Sequence, residues 1–165
     1  MAIDLKIQKL IKEHPFFLGL DPHSLPILAD VVEQKSVDAQ TRMAKEGEPA
    51  WGFFLIEKGH VAIEMYVPKK GELILETVGP GDVFGWSWIF PPYRWTFDAR
   101  AIEPTQVLAF NGEELRQKCD ENPKFGYDLM KRFARIMSHR IHASRLQLLD
   151  LYGHPGHHNE GSHGR

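Results

Sequence analysis

The apolar positions of this chain change period twice. Ile3, Ile7, Leu10 and Ile11 keep the spacing of one helix face, and His14-Pro15 ends that pattern because the residue before a proline is pushed out of the helical region. The run Phe16-Phe17-Leu18-Gly19-Leu20-Asp21-Pro22 predicts a hydrophobic turn closed by a cap, followed by a second short helix from about Ser24 to Glu33. From Ser36 onward the pattern shortens to strands punctuated by Gly and Pro, a cadence that predicts a mainly β sandwich or barrel. Trp51 to Glu57 reads as a largely apolar strand after the Met43 to Ala50 turn region. His60 to Val67 alternates, with Val61, Ile63 and Met65 on one face, and Leu73 to Val78 returns after a hairpin loop at Pro68-Lys69-Lys70-Gly71. Asp98 to Glu103 and Gln106 to Phe110 are predicted to pair around Pro104. Asn111 then caps a helix whose first turn holds Glu113 and Glu114. Pro123 interrupts it, and the 3.6-residue period resumes from about Lys124 to Leu151, with Phe125, Leu129, Phe133, Ile136 and Met137 as the stripe and Arg132, Arg135 and Arg140 on other faces. The segment after Tyr152 is polar and Gly/His-rich, so a disordered tail is expected there.

Composition narrows the class without changing the elements. With 42% apolar and 25% charged residues among 165, the chain has ordinary globular composition, and its formal net charge of -2 lacks the basic excess of a free-standing nucleic-acid binder. A single cysteine, Cys119, excludes an intrachain disulfide and a cysteine-rich zinc site. The opening segment resembles neither a signal peptide nor an anchor, and no apolar run has the length of a bilayer span, so the expected location is cytoplasmic, without membrane contact.

Candidate chemistry concentrates between Gly79 and Ala101. The turn Gly81-Asp82-Val83-Phe84-Gly85 feeds Trp86, Ser87 and Trp88, residues able to start a short helix, and backbone N–H groups at such a start converge on one point where an anion is held. Asp82 and Asp98 border this stretch without a nucleophile–base arrangement, and Asp82 reads as a turn residue. Of the nine histidines, His154, His157, His158 and His163 lie in the tail, where no fixed geometry supports a metal, and His139 and His142 lie on a solvated helix face. His60 with Glu57 and Glu64 is too thin a set for a metal enzyme. Neither a catalytic residue nor a metal site nor an enzymatic activity is expected.

Several motifs in order resemble one family. They are P-F-F-L-G-L at Pro15 to Leu20, E-G at Glu46-Gly47, F-F-L-I-E-K-G at Phe53 to Gly59, G-P-G-D-V-F-G at Gly79 to Gly85, and A-R-A at Ala99 to Ala101. From Ile7 to Leu151 the chain resembles a cyclic-nucleotide-binding domain, the module of catabolite-activator-like regulators, cyclic-nucleotide-dependent kinases and gated channels. The resemblance implies a mainly β fold with flanking helices. Residues 1-35 would form an N-terminal helical segment, 36-111 a jelly-roll-like β-roll with a cassette-like loop at 79-101, 112-152 the C-terminal helices including one long one, and 153-165 the disordered tail. It also implies that the segment beginning at Gly85 is the phosphate-binding cassette.

In that family a glutamate follows the cassette's glycine and bonds the ribose, while a later arginine pairs with the cyclic phosphate. Here Trp86 stands at the first position and Trp95, followed by Thr96 and Phe97, at the second. Arg94 lies one residue earlier, either a shifted anion partner or a solvated loop residue. The rings of Trp86, Trp88, Tyr93, Trp95 and Phe97 either line a pocket for a flat ligand or fill it themselves. The expected ligand site is Phe84, Gly85, Trp86, Ser87, Trp88, Arg94, Trp95 and Thr96, for a cyclic nucleotide or another small acidic ligand, with no cofactor. The expected function is a non-enzymatic regulatory or sensor module with weak or altered cyclic-nucleotide recognition. The alternative is a ligand-free adaptor whose pocket is filled by its own tryptophans. A protein partner and a homodimer through the long helix are expected, and direct DNA binding is not, because only a short polar stretch follows Leu151.

Overall fold

The computed structural model describes the backbone of residues 2–153 and the side chains of residues 5–151; the tail histidines and residues 154–165 of the expected disordered tail lie outside the described residues, while Gly153, read as its first residue, ends the long helix. Two compact units divide the chain between Asp128 and Leu129. The first begins with α1 (Ala2–Glu13), a 3-10 turn at Pro15–Phe17 and α2 (Ser24–Ala29). The strands follow as β1 (Val32–Val37), β2 (Arg42–Ala44), β3 (Gly52–Lys58), β4 (Val61–Val67), β5 (Gly71–Val78), β6 (Val83–Phe84), β7 (Asp98–Ala101) and β8 (Thr105–Asn111), and then come α3 (Gly112–Glu121) and α4 (Pro123–Gly153). Two antiparallel four-stranded sheets, ordered β1-β8-β3-β6 and β2-β7-β4-β5, make the β-roll. The second unit holds the remainder of α4.

Three elements depart from the local pattern. The second helix stops at Ala29 and the first strand starts at Val32, inside the segment read as helical, because Val32 to Val37 pairs along its whole length with β8. Ladder pairing outweighs the helix preference of Glu33, Gln34 and Lys35. The segments on either side of Pro104 do not pair with each other. β7 bonds β2 and β4, whereas β8 bonds β1 and β3, so the Ile102–Pro104 corner carries the chain from one sheet to the other. Met65 shares the strand phase of Val61 and Ile63 but is exposed, since the β4–β5 hairpin runs past the end of the core.

β3 is the strand on which the core divides. Its two faces are both covered, so five successive residues, Gly52 to Ile56, are buried. Phe53 stacks on Phe110 at 4.5 Å and lies 5.9 Å from Phe16, facing the helices. Phe54 and Ile56 point into the roll interior with Phe84, Val107, Ala109, Val61, Ile63 and Ala99. His14 ties the N-terminal segment to this strand, its Nε2–H donating to the Ile56 carbonyl (3.2 Å) while Nδ1 accepts the Phe16 N–H (3.2 Å). Asn111 caps α3 as its sequence predicts, with Oδ1 accepting the Glu114 N–H at 3.0 Å.

Candidate functional site

The loop after β6 turns at Gly85, whose φ of +96° belongs to the left-handed region. A turn follows, not the short helix expected from Trp86 to Trp88: the Ile89 N–H bonds the Trp86 carbonyl at 3.1 Å and the chain then leaves helical geometry. Pro91 and Pro92 close that option, because proline biases its predecessor away from helix and donates no hydrogen bond. The chain turns at Tyr93, whose φ of +54° is left-handed, and is extended at Arg94, which bridges to Pro49, so that the segment bonds to the Glu46–Ala50 turn. Ala50 donates to the Tyr93 carbonyl (2.7 Å), Trp95 to that of Glu48 (2.9 Å), and Gly47 to that of Trp95 (2.9 Å).

Extended backbone sends neighbouring side chains to opposite sides. Trp95 therefore enters the roll, 4% exposed, among Phe54, Phe84 and Ala99, with Phe97 at a ring separation of 5.6 Å. Its six-membered ring stands 3.0 Å from where a Cβ on Gly85 would lie, so the glycine is what admits the indole. Arg94, one residue earlier, is exposed and its Nη1 donates to the Gly47 carbonyl at 2.8 Å. Thr96 is exposed beside it. Of the expected site residues, Phe84, Gly85 and Trp95 meet inside the roll.

Trp88 goes the other way. It is fully buried on the helical side of the sheet, stacked on Phe53 at 5.8 Å, and fits against Gly112, where an added Cβ would lie 2.6 Å from the Trp88 Cβ. Arg116 of α3 fixes this arrangement: Nη1 donates to the Trp88 carbonyl (2.7 Å) and the guanidinium carbon lies 3.9 Å from the Tyr93 ring centroid. Ser87 is buried and Trp86 half-buried. The site read as one cluster is thus split by the sheet. Arg116 was missed in the sequence because a helix arginine that reaches back to a loop has no periodic signal. The glycine opening α3, where an alanine would serve the helix better, was the available clue.

Charge near the cassette is engaged elsewhere. Arg100 of the A-R-A motif bonds the buried Glu64 through Nε (2.8 Å) and Nη2 (2.6 Å), and Gln40 through Nη1 (2.5 Å). Asp98 accepts the Glu46 N–H at 2.8 Å, steadying the turn to which Tyr93–Trp95 is bonded. Asp82 has the turn role read from its sequence, accepting the Gly79 N–H at 2.9 Å. His60 pairs with Glu103 (2.5 Å) and Glu57 with Gln34 (3.1 Å), so the thin His60/Glu57/Glu64 set is dispersed. Among the described residues no group of three His, Cys, Asp or Glu is placed to hold a metal. Burial, with a smaller push from Asp120, raises the Cys119 thiol to about 11, leaving it protonated and unreactive at neutral pH.

Comparisons with known proteins bear on the fold. The chain is 24% identical over 145 residues to a CRP-like cAMP-activated global transcriptional regulator of Mycobacterium tuberculosis, covering 88% of this chain and 63% of that protein. It thus spans somewhat less than two thirds of that relative's length. A cyclic nucleotide-binding domain from Methylobacillus flagellatus superposes with a TM-score of 0.75 at 19% identity, covering 90% of this chain and 84% of that one. The sensor domain of the transcriptional regulator DNR from Pseudomonas aeruginosa gives 0.68 at 23% identity, with 86% and 95% covered. These two likenesses show the fold. Among the described residues no helix is long and apolar enough to cross a membrane. The family model for the cyclic nucleotide-binding domain matches residues 34–122, more than half of the sequence, and the chain belongs to that family.

Proposed function

We propose that this chain is a non-enzymatic regulatory module in which recognition of cyclic nucleotides is weak or altered. One observation carries the reading: the Trp95 indole, at the position where the family resemblance places a phosphate-binding arginine, lies inside the roll against Gly85. An apolar ring replaces a cation in a space walled by Phe54, Phe84, Val61 and Ile63. A phosphate entering there exchanges water for hydrocarbon without a counter-charge. Trp86 likewise offers no carboxylate to a ribose. The missing charge-assisted contact and hydrogen bond remove roughly 2–5 kcal/mol, or about 30-fold to several thousand-fold in affinity.

Titration calorimetry of the full chain with cyclic AMP and cyclic GMP tests this. Weak or undetectable heats are expected, and sub-micromolar binding of either nucleotide overturns the reading. The same burial of Trp95 favours a second reading, an interaction domain that works with its roll closed, with the indole standing where a ligand would. A thermal-shift screen of small acidic molecules separates the two. Any stabilising acid whose effect disappears in Trp95→Phe supports a sensor, and a screen without such an acid supports the closed domain.

A further inference from the structure

The buried His14 joins three parts of the fold through one neutral ring. Its Nδ1 caps the 3-10 turn by accepting the Phe16 N–H at 3.2 Å, and its Nε2 meets the Ile56 carbonyl of β3 at 3.2 Å. A carbonyl only accepts, so Nε2 carries the proton and Nδ1 presents a lone pair. The tautomer is fixed from both sides. The same Ile56 carbonyl accepts the Gly81 N–H at 3.1 Å, and the Ile56 N–H donates to the Asp82 carbonyl at 3.0 Å, which ties in the turn at 79–85 that leads to the cassette. Pro15, the next residue after His14, lies against that turn, its Cγ 3.4 Å from where a Cβ on Gly81 would stand.

A second proton does not fit this geometry. On Nδ1 it would face the Phe16 N–H, donor against donor, and the cap would be lost. Burial also opposes the imidazolium and holds the His14 pKa below 6.5, against the upward pulls of the Ile56 carbonyl, Glu57 of β3 and Asp82 of the turn. Those two carboxylates are the charges that face the ring from the strand and the turn, while Lys12 and Glu13 at the end of α1 are exposed. α1 makes its main contacts with α2 and the 3-10 turn, so it follows the joint at His14 when that joint moves.

We propose that His14 is a proton-operated latch: its protonation breaks the Phe16 cap, lifts the joint between α1 and the 3-10 turn off β3, and uncovers the 79–85 turn while both sheets stay folded. The opened form takes up its proton at the ordinary 6.5 and the closed form only at lower pH. Closure is therefore complete above about 6.5, and the opening equilibrium grows as pH falls, by up to about tenfold per unit until the closed form itself titrates. The proposal goes beyond the regulatory reading, since its input is a proton and no ligand of the cassette takes part.

Amide hydrogen exchange of the full chain at about pH 7.5 and about pH 5.5, corrected for the intrinsic pH dependence of exchange, tests it. Protection is expected to fall about three- to tenfold across residues 7–17 and 79–85 in acid and to hold in β1 and β8. His14→Gln, whose amide donates and accepts at every pH, should keep its protection at both. His60→Gln removes the ring that lies against Gly79 and should leave the acid response intact. Nitrogen NMR of the wild-type His14 ring, which needs no variant, should show Nε2–H at neutral pH. An acid response that persists in His14→Gln, one that His60→Gln removes, protection lost equally in β1 and β8, or a His14 ring protonated on Nδ1 at neutral pH each overturns it.

Discussion

Trp95→Ala empties a space that the surrounding rings cannot close, and a buried tryptophan truncated in this way costs about 3–5 kcal/mol, read as a lower urea midpoint at unchanged slope. The resulting cavity has the shape of the lost ring. Added indole is therefore expected to raise the melting temperature of Trp95→Ala while leaving the wild-type chain unchanged, and equal effects on both would show that the ring does not fill the roll. His14 gives a prediction in pH. Burial lowers its pKa below the ordinary 6.5, against the upward pulls of the Ile56 carbonyl, Glu57 and Asp82. The unfolded chain therefore takes up the proton first as pH falls, so the His14 contribution is complete above about 6.5 and is lost as pH drops below it. Urea unfolding at several pH values between 7.5 and 5 should show a steeper decline for the wild-type chain than for His14→Gln. The sequence displayed the absence of the family's arginine and glutamate without ambiguity. It did not display which way each tryptophan points, since that depends on whether its own backbone is extended and on which side of the sheet the chain passes.

At the scale of elements, the Arg116 side chain clasps the cassette to α3. Arg116→Ala removes a charged hydrogen bond to the Trp88 carbonyl and the stacking on Tyr93, a loss of about 1.5–3 kcal/mol. Amide exchange should quicken across Trp86–Tyr93 while the amides of β3 and β8 hold their rates. Arg116→Lys is expected to recover part of the stability, because an ammonium reaches the carbonyl but does not stack as a flat guanidinium does. Uniform acceleration through the sheets would count against a local clasp. Elements with strong local signals were readable: the Asn111 cap, the apolar β3 and the long helix. Strand partnership was not. Pro104 resembles a hairpin break in sequence, yet the choice between folding back and crossing to the other sheet is made by pairing partners far along the chain, Val32–Val37 and Gly52–Lys58 for β8. The start of β1 was obscured for the same reason.

For the whole molecule, α4 bears on self-association. Leu129 and Phe133, expected on a dimer stripe, are buried within the chain, whereas residues 141–151 are exposed throughout. Met137, Ile141, Ser144, Leu148 and Leu151 recur at the 3.5-residue spacing of a two-stranded seam. A bare helix of that length is marginal in water unless another helix covers it. We expect a parallel homodimer through this outer stretch, converted to monomer in sedimentation velocity by the pair Ile141→Asp and Leu148→Asp. A wild-type chain that remains monomeric at tens of micromolar sinks the expectation.

Trp88 and Trp95 stand on opposite faces of one sheet, and this makes the chain its own two-channel optical instrument. With the other tryptophans replaced by phenylalanine, a chain keeping Trp95 alone emits from the interior of the roll, and one keeping Trp88 alone emits from beneath α3. A molecule entering the roll should shift the Trp95 emission and leave Trp88 dark to the event. Displacement of α3 should do the reverse. If the two signals change together with a single time constant, the sheet between them is transmitting; a delay between them measures how long the message takes to cross β3.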